Sequence, residues 1–206
     1  MKLYFHPMSS NARRARMAAV ALGLKPELAL VDLQKGEAKR PEYLALNPNG
    51  KVPTLVDGDV VLWESIEIMM YLADGTPGQR LYPTERIARA QTNKWLIWTA
   101  AHWSPTIATL NFERFLKKLF GQGDADEYTV KRFGTLFADN AKVLDGQLGK
   151  TRHVAGDELS LADLAIAGPL MYAQLASLPI AEHKNLMRWF GEIQQTEAWK
   201  ATEASM

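Results

Sequence analysis

The sequence predicts an α/β domain over residues 1–76, a linker over residues 77–84 and an all-helical domain over residues 85–206. Three observations support this division. Patterns typical of strands and of helices alternate in the first part of the chain. A cluster of Gly, Pro and polar residues, DGTPGQRLYPTE at residues 74–85, is typical of a connection between domains. Beyond it, apolar residues recur with helical spacing only.

The first domain begins with a strand and a helix. The short run KLYF at residues 2–5 predicts the strand, and HPMSSN separates it from the helix. Gly23 is expected to end this helix, because glycine readily adopts the left-handed conformation that follows many helices. A second strand is predicted in ELALVD, from Glu27 onward. One stripe of the helix carries Ala12, Ala15, Ala19 and Leu22.

A hairpin and another helix complete this domain. The polar segment LQKGEAKRPEYLALNPNG predicts a short or irregular helix. TLV and VVLW then flank Asp57 and Gly58, a pair typical of tight β-hairpins because glycine accepts the positive φ that such turns need. The following ESIEIMMYLA returns to helical spacing.

Two long helices are predicted after the linker. Thr84 is expected to cap the first helix, which runs to the region of Phe120. The polar sequence GQGDAD interrupts the helical pattern. The second helix is expected from Asp126 to Leu148.

The segment ELSLADLAIAGPL carries a helix-start signal. Ser160 fits the N-cap position, and Asp163 lies where an acidic side chain reaches back to the amide of the cap residue. Leu159 and Leu164 occupy the positions of a hydrophobic staple. This combination is expected to serve folding rather than catalysis.

Composition excludes several kinds of function. The formal net charge of +1 gives no field that favours nucleic acid or an anionic membrane, so a small molecule or a protein is the expected partner. The absence of cysteine excludes disulfides, cysteine nucleophiles and thiolate metal sites, and the four scattered His residues show no metal-ligand spacing. The opening MKLYFHPMSS reaches a proline too early for a signal-peptide core, and no apolar run spans a bilayer, so a cytoplasmic protein is expected.

Two short segments suit a peptide-like ligand. Pro53 precedes a strand, and a cis bond after Val52 would turn the Val52 backbone groups outward to pair with an extended peptide. An ordinary trans proline at a sheet edge is the alternative. Glu64 and Ser65 lie where a helix begins, so the hydroxyl and free amides suit a carboxylate, and Glu64 suits an ammonium group. A plain N-cap role for Ser65 is compatible with this site.

Ser9 and Ser10 lie at the junction of the first strand and the first helix. A hydroxyl hydrogen bond and the positive end of a helix both favour a thiolate over a thiol, which lowers the pKa of a bound sulfur. Because the chain has no cysteine, any such sulfur belongs to a ligand. A serine that only caps the helix is the alternative.

These motifs resemble those of the cytosolic glutathione transferases, in particular a bacterial, serine-type, theta-, delta- or zeta-like branch. In family order, they are the Ser-Ser run, NPNGKVPTL, LWES, SLAD and NLMRWFGEI, and they extend over nearly the whole chain. The resemblance implies a thioredoxin-like N-terminal domain that binds glutathione, an all-helical C-terminal domain and a homodimer.

The resemblance also implies where glutathione binds. In the family the Val-Pro bond is cis, and the valine backbone pairs with the cysteinyl part of glutathione, which assigns these roles to Val52 and Pro53. Glu64 and Ser65 correspond to the pair that holds the γ-glutamyl end. The residues implied for the glycyl carboxylate are Lys51 and Lys39, although Lys39 also fits a plain surface charge.

Ser9 is the thiol-activating residue that the resemblance favours. The family's serine usually lies two or three positions before a small residue, which is matched here by Ala12. Ser10 is the second candidate, and Tyr4 in the first strand is the third. Asn11 replaces the Pro or Cys often found at its position, and its amide is a further candidate for contact with the sulfur.

In the family the second substrate, a hydrophobic electrophile, lies against the first loop and the long helix after the linker, between the domains. Apolar and polarizable side chains suit such a ligand, whereas core packing is the alternative for each aromatic residue. The residues implied for this site are Met8, Trp98, Trp103 and Phe112. By contrast, Arg13, Arg14 and Arg16 on the first helix are expected to form a solvated basic face, with glutathione steering or intersubunit ion pairs as alternatives.

The expected reaction is attack of the glutathione sulfur on an electrophilic carbon. A glutathione-dependent isomerase, dehalogenase or peroxidase at the same site is an alternative. The isomerase that acts on maleylacetoacetate begins its helix with Ser-Ser-Cys, and this chain has Ser-Ser-Asn. A non-catalytic interaction module is a further alternative, because a fold does not fix a function.

Overall fold

The computed structural model describes residues 1–203, which form two compact units. The first consists of residues 1–82 and the stretch that begins at Gln195, and the second of residues 83–194. The boundary falls inside the predicted linker, whereas the stretch from Gln195 was expected in the helical domain and belongs to the first unit. None of the helices in this described part is long and apolar enough to cross a membrane.

A four-stranded mixed sheet forms the centre of the first unit, in the spatial order β2-β1-β3-β4. β1 pairs in parallel with β2, and β3 pairs antiparallel with both β1 and β4. The predicted hairpin is confirmed, with its turn one residue later, because Asp57 pairs with Val60 and leaves Gly58 and Asp59 in the loop. The strands are β1 (Lys2–Phe5), β2 (Glu27–Leu30), β3 (Thr54–Asp57) and β4 (Val60–Trp63).

Helices of the first unit pack on this sheet. Gly23 ends the first helix as predicted: its φ is 72°, and the following Leu24 amide donates to the Ala19 carbonyl at 2.8 Å, as in a Schellman motif. The helices are α1 (Ser10–Ala21), α2 (Pro41–Leu44) and α3 (Ser65–Asp74), with a 3₁₀ turn at Glu37–Lys39. One buried cluster joins α1, α3 and the sheet through Leu3, Ala15, Ala19, Leu55, Ile68 and Leu72.

The second unit is helical. Its first three helices form the long helix predicted after the linker, but π-helical turns at Thr99–Trp103 and Phe112–Leu116 interrupt the regular hydrogen bonding. The prediction that Thr84 caps this helix is wrong, because Glu85 is the cap and its carboxylate accepts the Ala88 amide at 2.8 Å. The helices are α4 (Arg86–Trp98), α5 (Ser104–Asn111), α6 (Lys117–Leu119), α7 (Glu127–Leu148), α8 (Leu161–Ala167) and α9 (Lys184–Gln195).

The capping box before α8 is confirmed. Asp163 is fully buried, and its Oδ2 accepts the Ser160 amide at 2.9 Å. Its Oδ1 accepts the Val154 amide at 3.0 Å and the Trp189 indole at 2.8 Å. The carboxylate therefore caps α8 and also ties it to α9.

The last described helix, α10 (Glu197–Lys200), packs on α1 in the first unit. The guanidinium of Arg13 lies 3.7 Å from the Trp199 ring and donates to the Trp199 carbonyl at 3.1 Å. The prediction of a solvated basic face is therefore wrong for Arg13 and Arg14, which are each only 4% exposed. Arg16 is half-buried over the Phe5 ring.

Candidate functional site

A cleft of about 110 Å³ lies in the first unit, where the segment before β3 meets the start of α3. Polar groups line most of it, as in a site that orients a polar ligand. The predicted site residues in its lining are Asn11, Lys51, Val52, Pro53, Glu64 and Ser65. Three further residues, Asn47, Asn49 and Trp63, complete it.

The peptide bond between Val52 and Pro53 is cis, as the resemblance implied. Val52 lies just before β3 and outside the paired residues of the sheet. Neither its amide nor its carbonyl has a hydrogen-bond partner among residues 1–203. Because backbone groups of folded proteins are normally paired, these two groups suit an extended peptide in the cleft.

A hydrogen-bond network fixes the chain next to Val52. The Tyr43 hydroxyl and the Asn47 side-chain amide each donate to the Lys51 carbonyl at 2.8 Å. Thr54 is fully buried, and its hydroxyl oxygen is hydrogen-bonded to both Tyr43 and Asn47. Burial raises the pKa of Tyr43, so its hydroxyl stays protonated and available as a donor at neutral pH.

Helix α3 begins at the cleft with a strained backbone. Glu64 is the cap residue, and its φ of 72° and ψ of 108° are costly for a residue other than glycine. Ser65 is the first helical residue, so the N-cap role considered for Ser65 is corrected. The first amides of α3 lack acceptors within the helix and lie at the positive end of its dipole. Together with the Glu64 carboxylate they suit an α-amino acid group, which carries both charges.

Arg14 contacts two cleft residues and was not predicted as a site residue. Its Nε donates to the Ser65 Oγ at 2.8 Å, and its Nη2 donates to the Asn11 Oδ1. Burial lowers the pKa of Arg14 to about 10, with the Glu64 charge acting in the opposite direction. The guanidinium therefore stays protonated at neutral pH.

Ser9 is the N-cap of α1, and its Oγ accepts the Ala12 amide at 3.2 Å. The loop before it is closed by His6, whose carbonyl accepts the Ser9 amide at 3.0 Å. The His6 Nδ1 accepts the Met8 amide at 3.2 Å. Burial lowers the pKa of His6, and the charge of Asp32 opposes this effect. The Ser9 hydroxyl is therefore held at the positive end of α1.

Ser9 is not among the residues that line the cleft, although Asn11, two positions later, is. Three other predicted residues, Ser10, Lys39 and Tyr4, do not line it either. Ser10 is the first residue of α1. The Lys39 Nζ donates to the Asn49 carbonyl at 3.2 Å, so it contacts a lining residue from outside. Tyr4 packs edge-on against Tyr43, with ring centroids 5.7 Å apart.

The residues predicted to contact the electrophile belong to both units. Met8 is half-buried in the first unit, and Trp98 and Phe112 are half-buried in the second. Trp103 is fully buried in the second unit, where its indole donates to the Ile166 carbonyl at 2.9 Å. Its predicted substrate contact is therefore corrected, because both its ring and its polar atom are used in the core.

The site residues that were not predicted, three in the cleft lining and Arg14 behind it, had different signals in the sequence. Asn47 and Asn49 lie in NPNGKVPTL, and Trp63 lies in LWES, so the motifs indicated the right segments without distinguishing these side chains. Arg14 precedes Ala18 by four positions and therefore shares its buried helix face. That spacing was the available sign that Arg14 is not a surface charge.

Family comparisons agree with this architecture. The family model for the N-terminal domain of glutathione S-transferase matches residues 1–74. The model for the C-terminal domain of glutathione S-transferase matches residues 127–192. The two matched segments fall in the first and second units, respectively.

Individual relatives match over almost their full length. Glutathione S-transferase F10 of Arabidopsis thaliana is 35% identical over 97% of this chain and 95% of its own. Glutathione S-transferase 3 of Zea mays is 33% identical over 100% of this chain and 94% of its own. The crystal structure of glutathione transferase F7 from Populus trichocarpa has a TM-score of 0.90 at 29% identity, covering 98% of this chain and 96% of that one. The predicted fold, a thioredoxin-like domain followed by an all-helical domain, is thereby confirmed, and the chain belongs to the glutathione S-transferase family.

Proposed function

We propose that the cleft beside Val52 and Pro53 binds glutathione in this glutathione transferase and that Ser9 stabilises the glutathione thiolate. The observation that carries this proposal is the pair of unpartnered Val52 backbone groups, which line the same cleft as Glu64 and Ser65. A peptide needs backbone partners, and the γ-glutamyl end of this peptide needs partners for a carboxylate and an ammonium group. The cleft offers all three.

Each end of the cleft has a distinct binding role. The Val52 amide and carbonyl pair with the cysteinyl residue of the ligand. Ser65 and the first amides of α3 bind the γ-glutamyl carboxylate, and Glu64 binds its ammonium group. Lys51, which is exposed at the cleft, meets the glycyl carboxylate. Lys39 supports this end through the Asn49 carbonyl.

Ser9 acts on the sulfur by a hydrogen bond. Its Oγ already accepts the Ala12 amide, so the hydroxyl hydrogen is available to be donated to a thiolate. The positive end of α1 favours the same negative charge, and both effects lower the pKa of the thiol. Glutathione supplies the nucleophilic sulfur that forms the bond to an electrophilic carbon. The chain supplies orientation and electrostatic stabilisation.

The second substrate is a hydrophobic electrophile. Met8, Trp98 and Phe112 remain the proposed contacts, because each keeps part of its side chain accessible. Trp103 is left out because it is buried. Apolar and sulfur-containing side chains bind such ligands without directional hydrogen bonds.

Finer assignments extend the proposal. We infer a serine-type enzyme that works in the cytoplasm as a homodimer. The relatives include plant enzymes and a delta-class glutathione transferase of Nilaparvata lugens that is 32% identical with a TM-score of 0.82. The narrower theta-, delta- or zeta-like placement of a bacterial enzyme rests on the Ser-Ser run, and the delta-class relative supports the delta alternative.

Binding to immobilised glutathione, followed by conjugation of a chloronitrobenzene, tests the proposal. The Ser9→Ala variant is expected to bind the resin while its turnover falls by about 10- to 100-fold, the effect of one hydrogen bond to a charged group. Ser10→Ala is the matched control and is expected to keep most of its turnover. Equal turnover of Ser9→Ala and the wild type would move the role to Ser10 or Asn11.

A further inference from the structure

Arg14 joins the two helices that begin at the cleft. It extends from α1 and donates to Ser65 at the start of α3 and to Asn11 at the start of α1. Its side chain is only 4% exposed, whereas both partners line the cleft. The buried Arg14 guanidinium therefore holds Ser65 at the expected γ-glutamyl end of the cleft and Asn11 close to Ser9.

The chemistry of the guanidinium fixes the direction of both hydrogen bonds. Arginine has five N–H donors and no acceptor. The Asn11 atom that faces Arg14 must therefore be Oδ1, which leaves the two N–H groups of Nδ2 for other partners. The Ser65 Oγ likewise accepts from Arg14, which leaves its own hydrogen free to be donated.

We propose that Arg14 is a positioning residue that turns Asn11 and Ser65 into donors toward glutathione, with the Asn11 Nδ2 donating to the sulfur and the Ser65 hydroxyl to the γ-glutamyl carboxylate. The inference rests on the proposed function of the cleft. Without Arg14, the Asn11 side-chain amide has no preferred orientation, so its oxygen faces the sulfur as readily as its nitrogen does. An oxygen next to the sulfur would disfavour the thiolate.

Lysine is a poor substitute for arginine in this role. The two acceptors belong to different helices, and the planar fork of arginine reaches both with separate nitrogens, whereas lysine offers one flexible ammonium group. Arg14→Lys keeps the positive charge but loses the two separately placed nitrogen donors. It therefore separates orientation from simple electrostatic attraction.

The experiment compares Arg14→Lys with Arg13→Lys. Arg13 is the matched control, because it is equally buried on α1 but contacts Trp199 and Thr202 instead of the cleft. The readouts are glutathione affinity by calorimetry and the pKa of the bound thiol by its thiolate absorbance. In Arg14→Lys we expect at least about tenfold weaker binding and a thiol pKa raised by about one unit. Arg13→Lys is expected to change neither quantity, whatever its effect on thermal stability.

Asn11→Ala keeps the inference testable if Arg14→Lys does not fold, because Asn11 is exposed. Asn11→Ala alone is expected to raise the thiol pKa. If Arg14→Lys folds, the double variant should raise the pKa no further, since both changes remove the same donor. Additive shifts, or an unchanged pKa in Asn11→Ala, would overturn the role of Arg14 but leave the proposed function intact. A wild-type protein that does not bind glutathione would overturn both.

Discussion

The hydroxyl group of Tyr43 donates a hydrogen bond of 2.8 Å to the carbonyl oxygen of Lys51, the residue immediately before Val52. This bond connects α2 to the part of the chain whose backbone is proposed to bind glutathione. The shape of that binding edge is therefore set by a side chain that does not line the cleft.

Tyr43→Phe removes this bond while the Asn47 amide still holds the Lys51 carbonyl. We expect a loss of about 1 kcal/mol in the free energy of unfolding and a several-fold rise in the KM for glutathione, with kcat little changed. Denaturant titration and steady-state kinetics measure the two effects. Tyr71→Phe is the control, because it removes a hydroxyl bonded to Asp57, away from the cleft. An equal rise in KM in this control would refute a local role for Tyr43.

Glu64 combines a proposed binding role with a strained backbone. Glu64→Gly should therefore unfold at a temperature no lower than the wild type, because glycine tolerates positive φ, yet bind glutathione at least about tenfold more weakly. Glu64→Gln keeps the strain and loses the charge, so it should show weaker binding only. If both variants bound glutathione as tightly as the wild type, Glu64 would have no role in binding it.

The pH dependence of stability should reveal the protonation of His6. Burial lowers the pKa of His6 in the folded chain below its ordinary value of 6.5, so the neutral imidazole is favoured by folding. Its contribution is complete above pH 6.5 and is lost as the pH falls from 6.5 through the lower folded pKa. Protonated Nδ1 cannot accept the Met8 amide, so the loop before Ser9 should loosen over the same range.

Urea titrations between pH 5 and pH 8 measure this effect, within the pH range in which histidine usually titrates. His6→Asn is the informative comparison, because its amide oxygen can accept the Met8 amide without titrating. The decline in stability below pH 6.5 should be smaller in this variant than in the wild type. Identical curves would show that other groups cause the decline.

Loss of the Asp163 carboxylate should destabilise the protein more than loss of the partly exposed Glu192 carboxylate. It is fully buried, and its oxygens accept hydrogen bonds from Val154, Ser160 and Trp189. Asp163→Asn places an NH₂ group against these donors, and we expect a loss of about 3 kcal/mol or more in unfolding free energy. Glu192→Gln, which breaks partly exposed pairs with Arg152 and Arg188, should cost less than about 1 kcal/mol. Calorimetric unfolding of both variants measures the difference.

Local sequence patterns were sufficient for much of the fold. The hairpin around Gly58, the helix end at Gly23 and the capping box at Asp163 each depend on residues close together in the chain. A few neighbouring residues are enough to predict each feature, because its physical cause is local: a tight turn, a left-handed residue or a reciprocal cap. The segments that line the cleft were indicated for the same reason.

Long-range packing was not readable in this way. Arg13 and Arg14 carry the same charge in adjacent positions, yet one meets α10 at the far end of the sequence and the other meets α3. A helical pattern shows which residues share a face but not what covers that face. The positive φ of Glu64 was equally hidden, because strain of this kind is imposed by the surrounding structure.

A crystal structure with reduced glutathione tests the central claim most directly. The tripeptide should lie in the cleft, paired with the Val52 amide and carbonyl, with its γ-glutamyl group at Glu64 and Ser65 and its sulfur within hydrogen-bonding distance of the Ser9 hydroxyl. Glutathione bound elsewhere, with the Val52 backbone groups still unpaired and the sulfur away from the start of α1, would contradict the proposed site.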